Sequence, residues 1–522
     1  MEIIEGTAAK LSLSAEDAAK VLTTVNKSAL LGKSSGLHEV LVHWGHEEAA
    51  LVTRVLEKDV MPSPIIRDYK WPGIYKPFNH QMVTSAFLAT RSRAFCFNEA
   101  GTGKTSSVIW AADYLMTLGL VKRVLVICPL SIMYSAWQAD IFNTAMHRTV
   151  GVAYGSGAKR KKVIEGGYEF VIINYDGVGV VREAVSAAMF DLIVIDEANA
   201  YKMPTTKRWR TLVKLLLPST KLWLLTGTPA AQSPVDAYGM AKLISPQLLP
   251  KTMTNWKDKV MQQITRFKWV PKLSARDDVF RVLQPAIRYS KEECLDLPDI
   301  VHLTRDVPLV PYVYAYYKKL KSQMLIEAAG EQISAVNAAA SLSKLLQISG
   351  GAVYTDERDV VEFDVSPRLQ ALKEALDETI NKVVIFVPYL HTIEVIRRYL
   401  DTHKYTNSII KGDVSARNRG DIIKAFQEQP DPRILIIQPQ SASHGVTLTA
   451  ADTVVFWSPV MSVETYLQCI ARINRVGQKN KMTVVHLQGS AVEVSMYAML
   501  QGKVNSHQRL VDLYKQELGL EK

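Results

Sequence analysis

The sequence predicts an α/β protein made of two parallel-sheet lobes, with a helical insertion between them and a small helical region at the N-terminus. Two series of short, apolar, β-branched runs alternate with longer helical patterns, one starting near residue 75 and the other near residue 382. Runs of about four to six buried residues, separated by helices, are typical of parallel strands covered on both faces. The mainly helical pattern of residues 246–380 separates the two series.

Length and composition exclude several classes of protein. The chain has 522 residues, of which 48% are hydrophobic and 22% charged, so long disorder and collagen-like or disulfide-stapled chains are excluded. The net charge of +11 indicates a polyanionic partner, nucleic acid first, with an ordinary basic enzyme as an equally weighted alternative. The four cysteines form no Cys-x-x-Cys pair, which predicts neither a zinc site nor disulfides. No apolar run of about 18 residues occurs, so we expect no membrane span.

Residues 1–70 are expected to form the small helical N-terminal region. Ser14, followed by two acidic residues, is a helix start signal, and the segment 37–60 predicts one or two further helices. Prolines at 62, 64 and 72 then indicate a linker. Histidines at 38, 43 and 46 raise the alternative of a metal site, but no further ligand has a fitting spacing. This region is a candidate surface for a protein partner.

The first lobe is predicted over residues 71–245 and the second over residues 381–500, followed by a C-terminal helix at 501–522. Each lobe contains apolar runs of strand length. In the first lobe the predicted strands are Arg93–Phe97, Val124–Cys128, Phe170–Ile173, Leu192–Ile195 and Leu222–Leu225. In the second lobe they are Val383–Val387, Ser408–Ile410, Ile434–Ile437, Thr453–Phe456 and Thr483–Leu487.

A glycine-rich segment, Asn98-Glu-Ala-Gly-Thr-Gly-Lys-Thr105, joins a predicted strand to a predicted helix. This is the context that a phosphate-binding loop requires. Glycines let the backbone approach phosphate, and the helix N-terminus offers free N–H groups to the anion. Lys104 is expected to pair with the β- and γ-phosphates, and the Thr105 hydroxyl to ligate Mg²⁺. The nucleotide-binding residues predicted here are Gly101, Thr102, Gly103, Lys104 and Thr105.

Two adjacent carboxylates follow the predicted strand in Leu192-Ile-Val-Ile-Asp-Glu-Ala-Asn199. They lie at the carboxyl end of the strand, the edge at which α/β sheets bind ligands. Asp196 is expected to hold Mg²⁺, and Glu197 to orient and deprotonate the attacking water. A plain acidic loop is the alternative, which the phosphate loop earlier in the chain makes weaker. The segment Trp223-Leu-Leu-Thr-Gly-Thr-Pro229 ends another strand in a tight turn and is a candidate sensor of the nucleotide.

Two arginines lie three residues apart near the end of the second lobe, in Gln468-Cys-Ile-Ala-Arg-Ile-Asn-Arg-Val-Gly-Gln478. On a helix this spacing places both on one face. Arg472 and Arg475 are therefore candidates for arginine fingers that neutralise charge on the transferred phosphoryl group. A basic surface helix is the alternative.

With these four segments in this order, the chain resembles the superfamily 2 helicases and, among them, the Swi/Snf-like DNA translocases. The resemblance implies two RecA-like lobes, ATP and Mg²⁺ as cofactors, and Gln81 as the residue that reads adenine. Further segments carry it over most of residues 75–500: Val126-Ile-Cys-Pro-Leu-Ser131 with Trp137-Gln138, Ile173-Asn-Tyr175, Ile287-Arg-Tyr-Ser-Lys-Glu-Glu-Cys-Leu-Asp-Leu-Pro298, Gly412-Asp-Val-Ser415, Gly445-Val-Thr-Leu-Thr-Ala-Ala-Asp-Thr-Val454 and Arg475-Val-Gly-Gln478.

The sequence departs from the family pattern at several positions. Asn199 replaces the usual His, and Asn98 stands where the family usually has Asp or Ala. In the second lobe, Gln440 replaces an Arg, and Ala442 with Ser443 replaces a glycine pair. None of these changes removes a group that performs phosphoryl transfer, so they bear on coupling to DNA rather than on hydrolysis.

The resemblance implies an ATP-dependent DNA translocase that remodels branched or protein-bound DNA. Its contacts with the DNA backbone are expected near Ser131, Asn174, Thr447 and Thr449, and such contacts read phosphate rather than sequence. A strand-separating DNA or RNA helicase and a nucleotide-gated nucleic-acid-binding switch are the alternatives. The expected location is the cytoplasm of a bacterial or phage-infected cell, or the nucleus of a eukaryotic one.

The predicted insertion carries basic and aromatic residues that could add nucleic-acid contacts. For the lysines an ordinary solvated side chain is the more frequent role, and for the aromatics a small helical core is. The residues concerned are Lys268, Lys272, Lys318, Lys319 and Lys321 with Trp256, Phe267 and Trp269.

Overall fold

The computed structural model describes residues 1–502 apart from 59, 231–232, 265–268, 295–297, 331–334, 355–359, 443–446 and 476. The predicted C-terminal helix at 501–522 lies almost wholly outside the described residues. The chain divides into two compact units, Met1–Gln262 with Lys272–Cys294, and Gln263–Pro271 with Leu295–Lys522. The first unit therefore contains both the N-terminal region and the first lobe.

The N-terminal region combines a sheet with helices, so the prediction of a purely helical region was wrong. The order of the strands in its antiparallel sheet is β1 (Glu2–Ile4), β2 (Ala8–Leu13), β4 (Leu37–His43) and β3 (Ser28–Ser34). In β4 the buried residues Val40 and Val42 alternate with more exposed neighbours, the period of two that a half-buried strand shows. Ser14 does begin a helix, since its side chain accepts a hydrogen bond from the Asp17 N–H at 3.1 Å. The elements are β1 Glu2–Ile4, β2 Ala8–Leu13, α1 Ala15–Thr24, β3 Ser28–Ser34, β4 Leu37–His43, α2 His46–Leu56 and α3 Ile65–Asp68.

His46, at the start of α2, packs against the first lobe. Its ring meets the edge of Tyr114 at a centroid distance of 5.4 Å. Burial, together with the positive charge of Lys221, lowers the pKa of His46 to about 4, although Glu48 opposes this. The folded state therefore holds this ring neutral at a pH where an unfolded chain would protonate it.

We expect acidification to weaken the first unit through His46. Because the unfolded histidine takes up its proton near pH 6.5 and the folded one only near pH 4, stability is complete above pH 6.5 and falls as the pH drops toward 4. At pH 5 the loss is about 2 kcal/mol relative to pH 7.5. Urea unfolding at both pH values measures it. His46→Gln should remove this part of the pH dependence, and equal pH dependence in both proteins would contradict the assignment.

The first lobe is a seven-stranded sheet in which every neighbouring pair of strands is parallel. The order of its strands is β13 (Ala286–Ile287), β5 (Arg93–Cys96), β10 (Lys221–Leu225), β9 (Leu192–Ile195), β6 (Val124–Cys128), β8 (Phe170–Asn174) and β7 (Val150–Ala153). All five predicted strands are present. Two further strands at the edges were missed: β7 alternates partly buried and buried residues and so lacks a continuous buried run, and β13 is only two residues long. The strands of this segment are β5 Arg93–Cys96, β6 Val124–Cys128, β7 Val150–Ala153, β8 Phe170–Asn174, β9 Leu192–Ile195, β10 Lys221–Leu225, β11 Met261–Gln263, β12 Trp269–Pro271 and β13 Ala286–Ile287.

Helices cover both faces of this sheet, and the carboxyl ends of its central strands carry the predicted site. The central strands β6, β9 and β10 are buried almost throughout, as expected for a parallel sheet. The helices are α4 Asn79–Ala89, α5 Lys104–Thr117, α6 Ala139–Thr144, α7 Gly157–Glu165, α8 Tyr175–Val180, α9 Arg182–Ala187, α10 Lys207–Leu215, α11 Ala237–Ile244, α12 Met253–Val260, α13 Ala275–Val282 and α14 Lys291–Cys294.

The second lobe is a six-stranded parallel sheet with the order β14-β21-β20-β17-β19-β18, and it contains all five predicted strands. Strands β15 and β16 form a separate antiparallel pair. The strands are β14 Ile300–Asp306, β15 Ala352–Tyr354, β16 Val360–Glu362, β17 Lys382–Phe386, β18 Asn407–Ile410, β19 Ile434–Ile437, β20 Ala451–Phe456 and β21 Met482–Gln488. The helices are α15 Pro311–Gly330, α16 Ala335–Gly350, α17 Ser366–Asp377, α18 Leu390–Thr402, α19 Ala416–Glu428, α20 Pro439–Ala442, α21 Val463–Ala471 and α22 Ala491–Leu500.

The segment 246–380 contains strands as well as helices, which corrects the prediction that it is a helical insertion. Strand β13 extends the first sheet beside β5, and β14 extends the second sheet beside β21. The segment is thus shared between the two units, and its long helices α15 and α16 are the part that agrees with the prediction. Strand β14 was missed because it is largely exposed, so its sequence shows no apolar run.

Candidate nucleotide site and nucleic-acid contacts

The glycine-rich loop between β5 and α5 has the conformation that its sequence predicts. Gly101 and Gly103 have φ values of 96° and 79°, a region that residues with a side chain rarely adopt. A Cβ atom on Gly103 would lie 1.9 Å from Nε2 of Gln81. Lys104 begins the helix, and its Nζ donates a hydrogen bond to the carbonyl of Asn98 at 2.6 Å. The ammonium group is therefore held at the loop.

Asn98 anchors this loop, which explains what an amide does at a position where the family usually has Asp or Ala. Its Nδ2 donates to the hydroxyl of Thr84 at 2.9 Å, and its Oδ1 accepts from the N–H of Tyr289 at 3.0 Å. The side chain is almost completely buried. An amide supplies a donor and an acceptor together, so one residue links the loop to α4 and to the segment after β13.

Gln81 lies directly against the loop. Its Nε2 donates to the carbonyl of Thr102 at 3.2 Å, and its Oε1 accepts from the N–H of Phe78 at 3.0 Å. The ring nitrogen Nε2 of His80 also hydrogen bonds to the Thr102 carbonyl, at 2.8 Å. Sequence reasoning did not single out His80. The adenine-reading role of Gln81 stays a prediction.

Asp196 and Glu197 follow β9, whose neighbours in the sheet are β10 and β6. Oδ1 of Asp196 accepts from the N–H of Glu197 at 2.9 Å, and Oδ2 accepts from the indole N–H of Trp137 at 2.9 Å. The carboxylate is nine-tenths buried. Glu197 has φ 48° and ψ 56°, a left-handed conformation that a non-glycine residue keeps only where its surroundings enforce it.

Tyr175 holds the backbone of the same two residues. Its hydroxyl donates to the carbonyl of Asp196 at 2.6 Å and contacts the carbonyl of Glu197 at 3.3 Å. Burial raises the pKa of Tyr175 well above its ordinary value, and the charges of Asp196 and Glu197 add to this. The hydroxyl therefore keeps its proton and stays a donor. Trp137 and Tyr175 lie in segments that resemble the family, but sequence reasoning gave them no role at the site.

The turn after β10 joins the carboxylate segment to the phosphate loop. Asn199 donates from Nδ2 to the carbonyl and hydroxyl oxygens of Thr228, at 3.2 and 3.3 Å. A Cβ atom on Gly227 would lie 3.3 Å from the backbone nitrogen of Ala100, so the turn packs against the loop. The residue that departs from the family's usual His thus connects the second predicted segment to the third.

The charges of Lys104 and Asp196 both act on the thiol of Cys96, the last residue of β5. Burial raises the pKa of the Cys96 thiol to about 11, and the nearby Asp196 contributes in the same direction while Lys104 opposes it. Both charges therefore change the pKa of the same buried thiol at the end of β5. An ammonium group and a helix N-terminus are groups that bind phosphate, and a carboxylate is a group that can hold Mg²⁺.

In the second lobe, the two arginines do not share a helical face, which corrects the sequence interpretation. Helix α21 ends at Ala471, Arg472 caps it, and Arg475 lies in the turn that follows. Beyond the helix, Nε2 of Gln478 donates to the carbonyl of Ala451 at 2.7 Å, which ties the chain to the start of β20. The carbonyl of Arg472 in turn accepts from the Leu448 N–H at 2.9 Å.

The predicted DNA contacts lie at strand ends, two in each lobe. Ser131 lies in a 3₁₀ turn after β6, and Asn174 ends β8, where its Oδ1 accepts from Arg160 at 2.7 Å. Thr447 and Thr449 precede β20, and the hydroxyl of Thr449 accepts from Nε2 of Gln427 at 3.2 Å. Residues 443–446 of the same segment, including Ser443, lie outside the described residues.

Trp256, one of the three aromatic residues singled out in the predicted insertion, is fully buried. Its indole N–H donates to the carbonyl of Pro234 at 3.2 Å. Trp256 is thus part of a core, the more frequent of the two roles considered. Phe267 and Lys268 lie outside the described residues.

The described part of the chain contains no membrane-spanning helix, no metal cluster and no disulfide. No helix there has both the length and the apolar character needed to cross a membrane. Within the same residues no cluster of three or more His, Cys, Asp or Glu side chains could hold a metal ion. The four cysteines are free thiols.

The fold and the site define a class: a parallel-sheet lobe with a glycine-rich loop before a helix and a paired carboxylate, followed by a second parallel-sheet lobe. Residues 80–350 match the family model of the SNF2-related domain, and residues 367–477 match that of the helicase conserved C-terminal domain. The first match covers more than half of the chain, which therefore belongs to the SNF2-related family. The predicted family, the Swi/Snf-like branch of the superfamily 2 helicases, is confirmed.

Proteins similar to this chain include one from mouse, one from a phage and a solved structure from Sulfolobus solfataricus. The mouse chromodomain-helicase-DNA-binding protein 1-like is 23% identical over 483 residues, covering 88% of this chain and 52% of that protein. Protein p41 of Acyrthosiphon pisum secondary endosymbiont phage 1 is 25% identical, covering 84% of this chain and 97% of that protein. The chain spans about half the length of the mouse relative. The SWI2/SNF2 ATPase core of Sulfolobus solfataricus in complex with dsDNA is 22% identical, covers 86% of this chain and 95% of its own, and has a TM-score of 0.42.

Proposed function

We propose that this chain is an ATP-driven translocase on double-stranded DNA that remodels protein-bound or branched DNA. The observation that carries the proposal is the joining of the phosphate loop, the carboxylate pair and the turn after β10 at one sheet edge, in a chain whose second lobe matches the helicase C-terminal family. A motor that follows a sugar–phosphate track needs a site for a triphosphate and strand ends that contact the phosphates of the track. The sheet edge is proposed to supply the first, and the predicted DNA contacts the second. DNA repair and recombination are processes that such remodelling would serve.

The residues have distinct roles in this proposal. Lys104 and the N–H groups at the start of α5 bind the β- and γ-phosphates of ATP. Thr105 and Asp196 would hold Mg²⁺, since hydroxyl and carboxylate oxygens are the ligands this ion takes. When bound, Mg²⁺ supplies charge that balances the phosphates. Glu197 orients the attacking water and accepts its proton.

Arg472 and Arg475 are proposed to stabilise the charge that develops on the transferred phosphoryl group. A guanidinium group is planar, always charged and able to bind two phosphate oxygens together. Replacing either arginine with alanine should therefore lower the kcat for ATP hydrolysis rather than the affinity for nucleic acid.

Residues 1–70 are proposed to contact a protein partner rather than DNA. They contain ten acidic and eight basic side chains, whereas the whole chain carries a net charge of +11. The positive charge that attracts a polyanion is thus concentrated in the rest of the chain.

We expect duplex DNA to stimulate ATP hydrolysis more than any other nucleic acid does. The measurement compares ATPase rates without nucleic acid and with single-stranded DNA, duplex DNA, forked DNA and RNA. A triplex-displacement assay and a strand-displacement assay then separate translocation from unwinding. Displacement of the third strand without duplex separation supports the proposal.

Other outcomes favour the alternatives. Strand separation would indicate a true helicase, and stimulation by RNA alone would change the substrate. Nucleic-acid binding that depends on ATP without stimulated turnover would indicate a nucleotide-gated switch. The stimulation by duplex DNA should also weaken steeply as salt rises, because phosphate contacts release counterions.

A further inference from the structure

We propose that Trp137 and Tyr175 are positioning residues that couple DNA contact to hydrolysis at Asp196 and Glu197. The inference rests on the proposed function, because it assigns a route by which the nucleic acid controls the ATPase site. It concerns two hydrogen-bond donors that reach the carboxylate segment from segments expected to touch DNA.

The first donor sits in a short, unusual helix. A π-helical turn, Met133–Gln138, directly follows the 3₁₀ turn Leu130–Ile132 that contains Ser131. Single π-helical turns are rare and often found at functional sites. Trp137 in this turn is fully buried, and its indole N–H lies 2.9 Å from Oδ2 of Asp196. Because the indole is tightly enclosed, a shift of the turn carries the donor with it.

The second donor follows a strand end. Asn174 is the last residue of β8, and Tyr175 is the next residue in the chain. The hydroxyl of Tyr175 donates to the carbonyl of Asp196 at 2.6 Å and reaches that of Glu197 at 3.3 Å. Glu197 has a left-handed backbone, which surrounding contacts must maintain. A displacement of Asn174 would therefore move Tyr175 and change its hydrogen bond to the backbone of Glu197, the proposed general base.

The two donors form one arrangement. Strand β6 lies between β8 and β9 in the sheet, so the segments after β6 and β8 and the carboxylates after β9 end at the same edge. Each of the two segments carries one expected phosphate contact and one donor to the carboxylate segment. Donors of this kind orient the groups that hold a metal or activate water, and removing one typically costs 10-fold to 100-fold in metal affinity or activity. A DNA backbone that fixes both segments would thereby fix the catalytic carboxylates.

The test replaces each donor without removing its ring, in Trp137→Phe and Tyr175→Phe. ATPase rates are measured without DNA and with saturating duplex DNA, and the Mg²⁺ dependence of the rate is recorded. We expect the DNA-saturated rate to fall about 10-fold to 100-fold and the DNA-free rate to fall much less, so that the stimulation ratio collapses. In Trp137→Phe the Mg²⁺ concentration for half-maximal rate should rise about 10-fold.

Matched controls exist in the same unit. Trp256→Phe removes an indole donor that binds the carbonyl of Pro234, and Tyr238→Phe removes a hydroxyl that binds the carbonyls of Pro250 and Lys251. Trp256 is fully buried like Trp137, and Tyr238 is buried more deeply than the partly buried Tyr175, so these variants show what the loss of one enclosed donor does to folding alone. Their stimulation ratios should equal that of the wild type. Trp137→His, which keeps an N–H donor, should recover part of the ratio.

The outcomes separate the inference from the proposed function. A wild type that no nucleic acid stimulates would overturn both. A stimulated wild type whose Trp137→Phe and Tyr175→Phe variants keep its ratio, or lose DNA-free and DNA-saturated rates by the same factor, would overturn the inference alone. Duplex affinity, measured by fluorescence anisotropy, should stay unchanged in both variants. Its loss would place these residues in the DNA contact itself and overturn the coupling role.

Discussion

Glu197→Gln is expected to lower the kcat for ATP hydrolysis by about 10²-fold to 10⁴-fold, the range that a general base contributes. Glutamine has the same shape as glutamate but cannot accept the proton of the attacking water. The left-handed backbone at Glu197 and the Tyr175 hydrogen bond do not involve the carboxylate, so the variant should keep the geometry of the segment. Binding of a fluorescent ATP analogue should therefore be unchanged, while steady-state hydrolysis is lost.

Glu183→Gln is the matched control for this variant. Glu183 lies on α9 in the same lobe with its side chain 94% exposed, and its ion pair with Arg182 has a long distance of 4.0 Å. The same loss of one negative charge should leave hydrolysis unchanged there. If Glu197→Gln retained more than about a tenth of the wild-type rate, the role of general base would pass to another residue. Loss of nucleotide binding together with hydrolysis would indicate that the carboxylate serves the loop instead.

The sheets of both lobes could be predicted because their central strands are buried on both faces. Strands β6, β9 and β19 were predicted with the bounds that the structure has. A continuous apolar run of this kind has one stable environment in an α/β protein, and the surrounding helical patterns fix its direction. The positions of Lys104 and Asp196 followed, since phosphate and metal ligands gather at the carboxyl ends of such strands.

Half-buried strands and long-range contacts could not be predicted in the same way. Strand β14 mixes polar and apolar residues, and its partner β21 lies far along the chain. The N-terminal strands are half-buried and lack the continuous apolar run of a buried strand. The segment after α21 is tied by a hydrogen bond from Gln478 to a carbonyl 27 residues earlier, which no local pattern encodes. Trp137 likewise reaches Asp196 across 59 residues. A sequence shows which groups are chemically competent, but tertiary contacts decide which of them meet.

Arg368→Met is expected to destabilise the second lobe by about 3–5 kcal/mol, the cost of leaving a buried charge without its partner. Arg368 and Glu493 form an ion pair of 2.8 Å with side chains only 2% and 0% exposed. The guanidinium also donates to the carbonyl of Trp457. Methionine has a similar volume but no charge and no donor. Urea unfolding of the full chain should show the loss as an earlier transition.

Lys373→Met on the same helix, α17, provides the comparison for an exposed pair. Lys373 contacts Asp377 at 2.6 Å, but the two side chains are 37% and 50% exposed. Exposed pairs contribute about 0–1 kcal/mol, so this variant should unfold nearly as the wild type does. A similar loss in both variants would mean that the methionine substitution acts through the helix and not through the buried charge.

The double variant Arg368→Met with Glu493→Gln separates charge from packing. Glutamine keeps an acceptor for the N–H groups of Gly489 and Ser490, which the Glu493 carboxylate binds at 2.6 and 3.2 Å, while it removes the uncompensated charge. Because breaking a buried pair costs more than replacing both of its members, the double variant should recover most of the stability that Arg368→Met loses. A double variant as unstable as Arg368→Met would instead assign the loss to the hydrogen bond with Trp457 and to the packing around its ring.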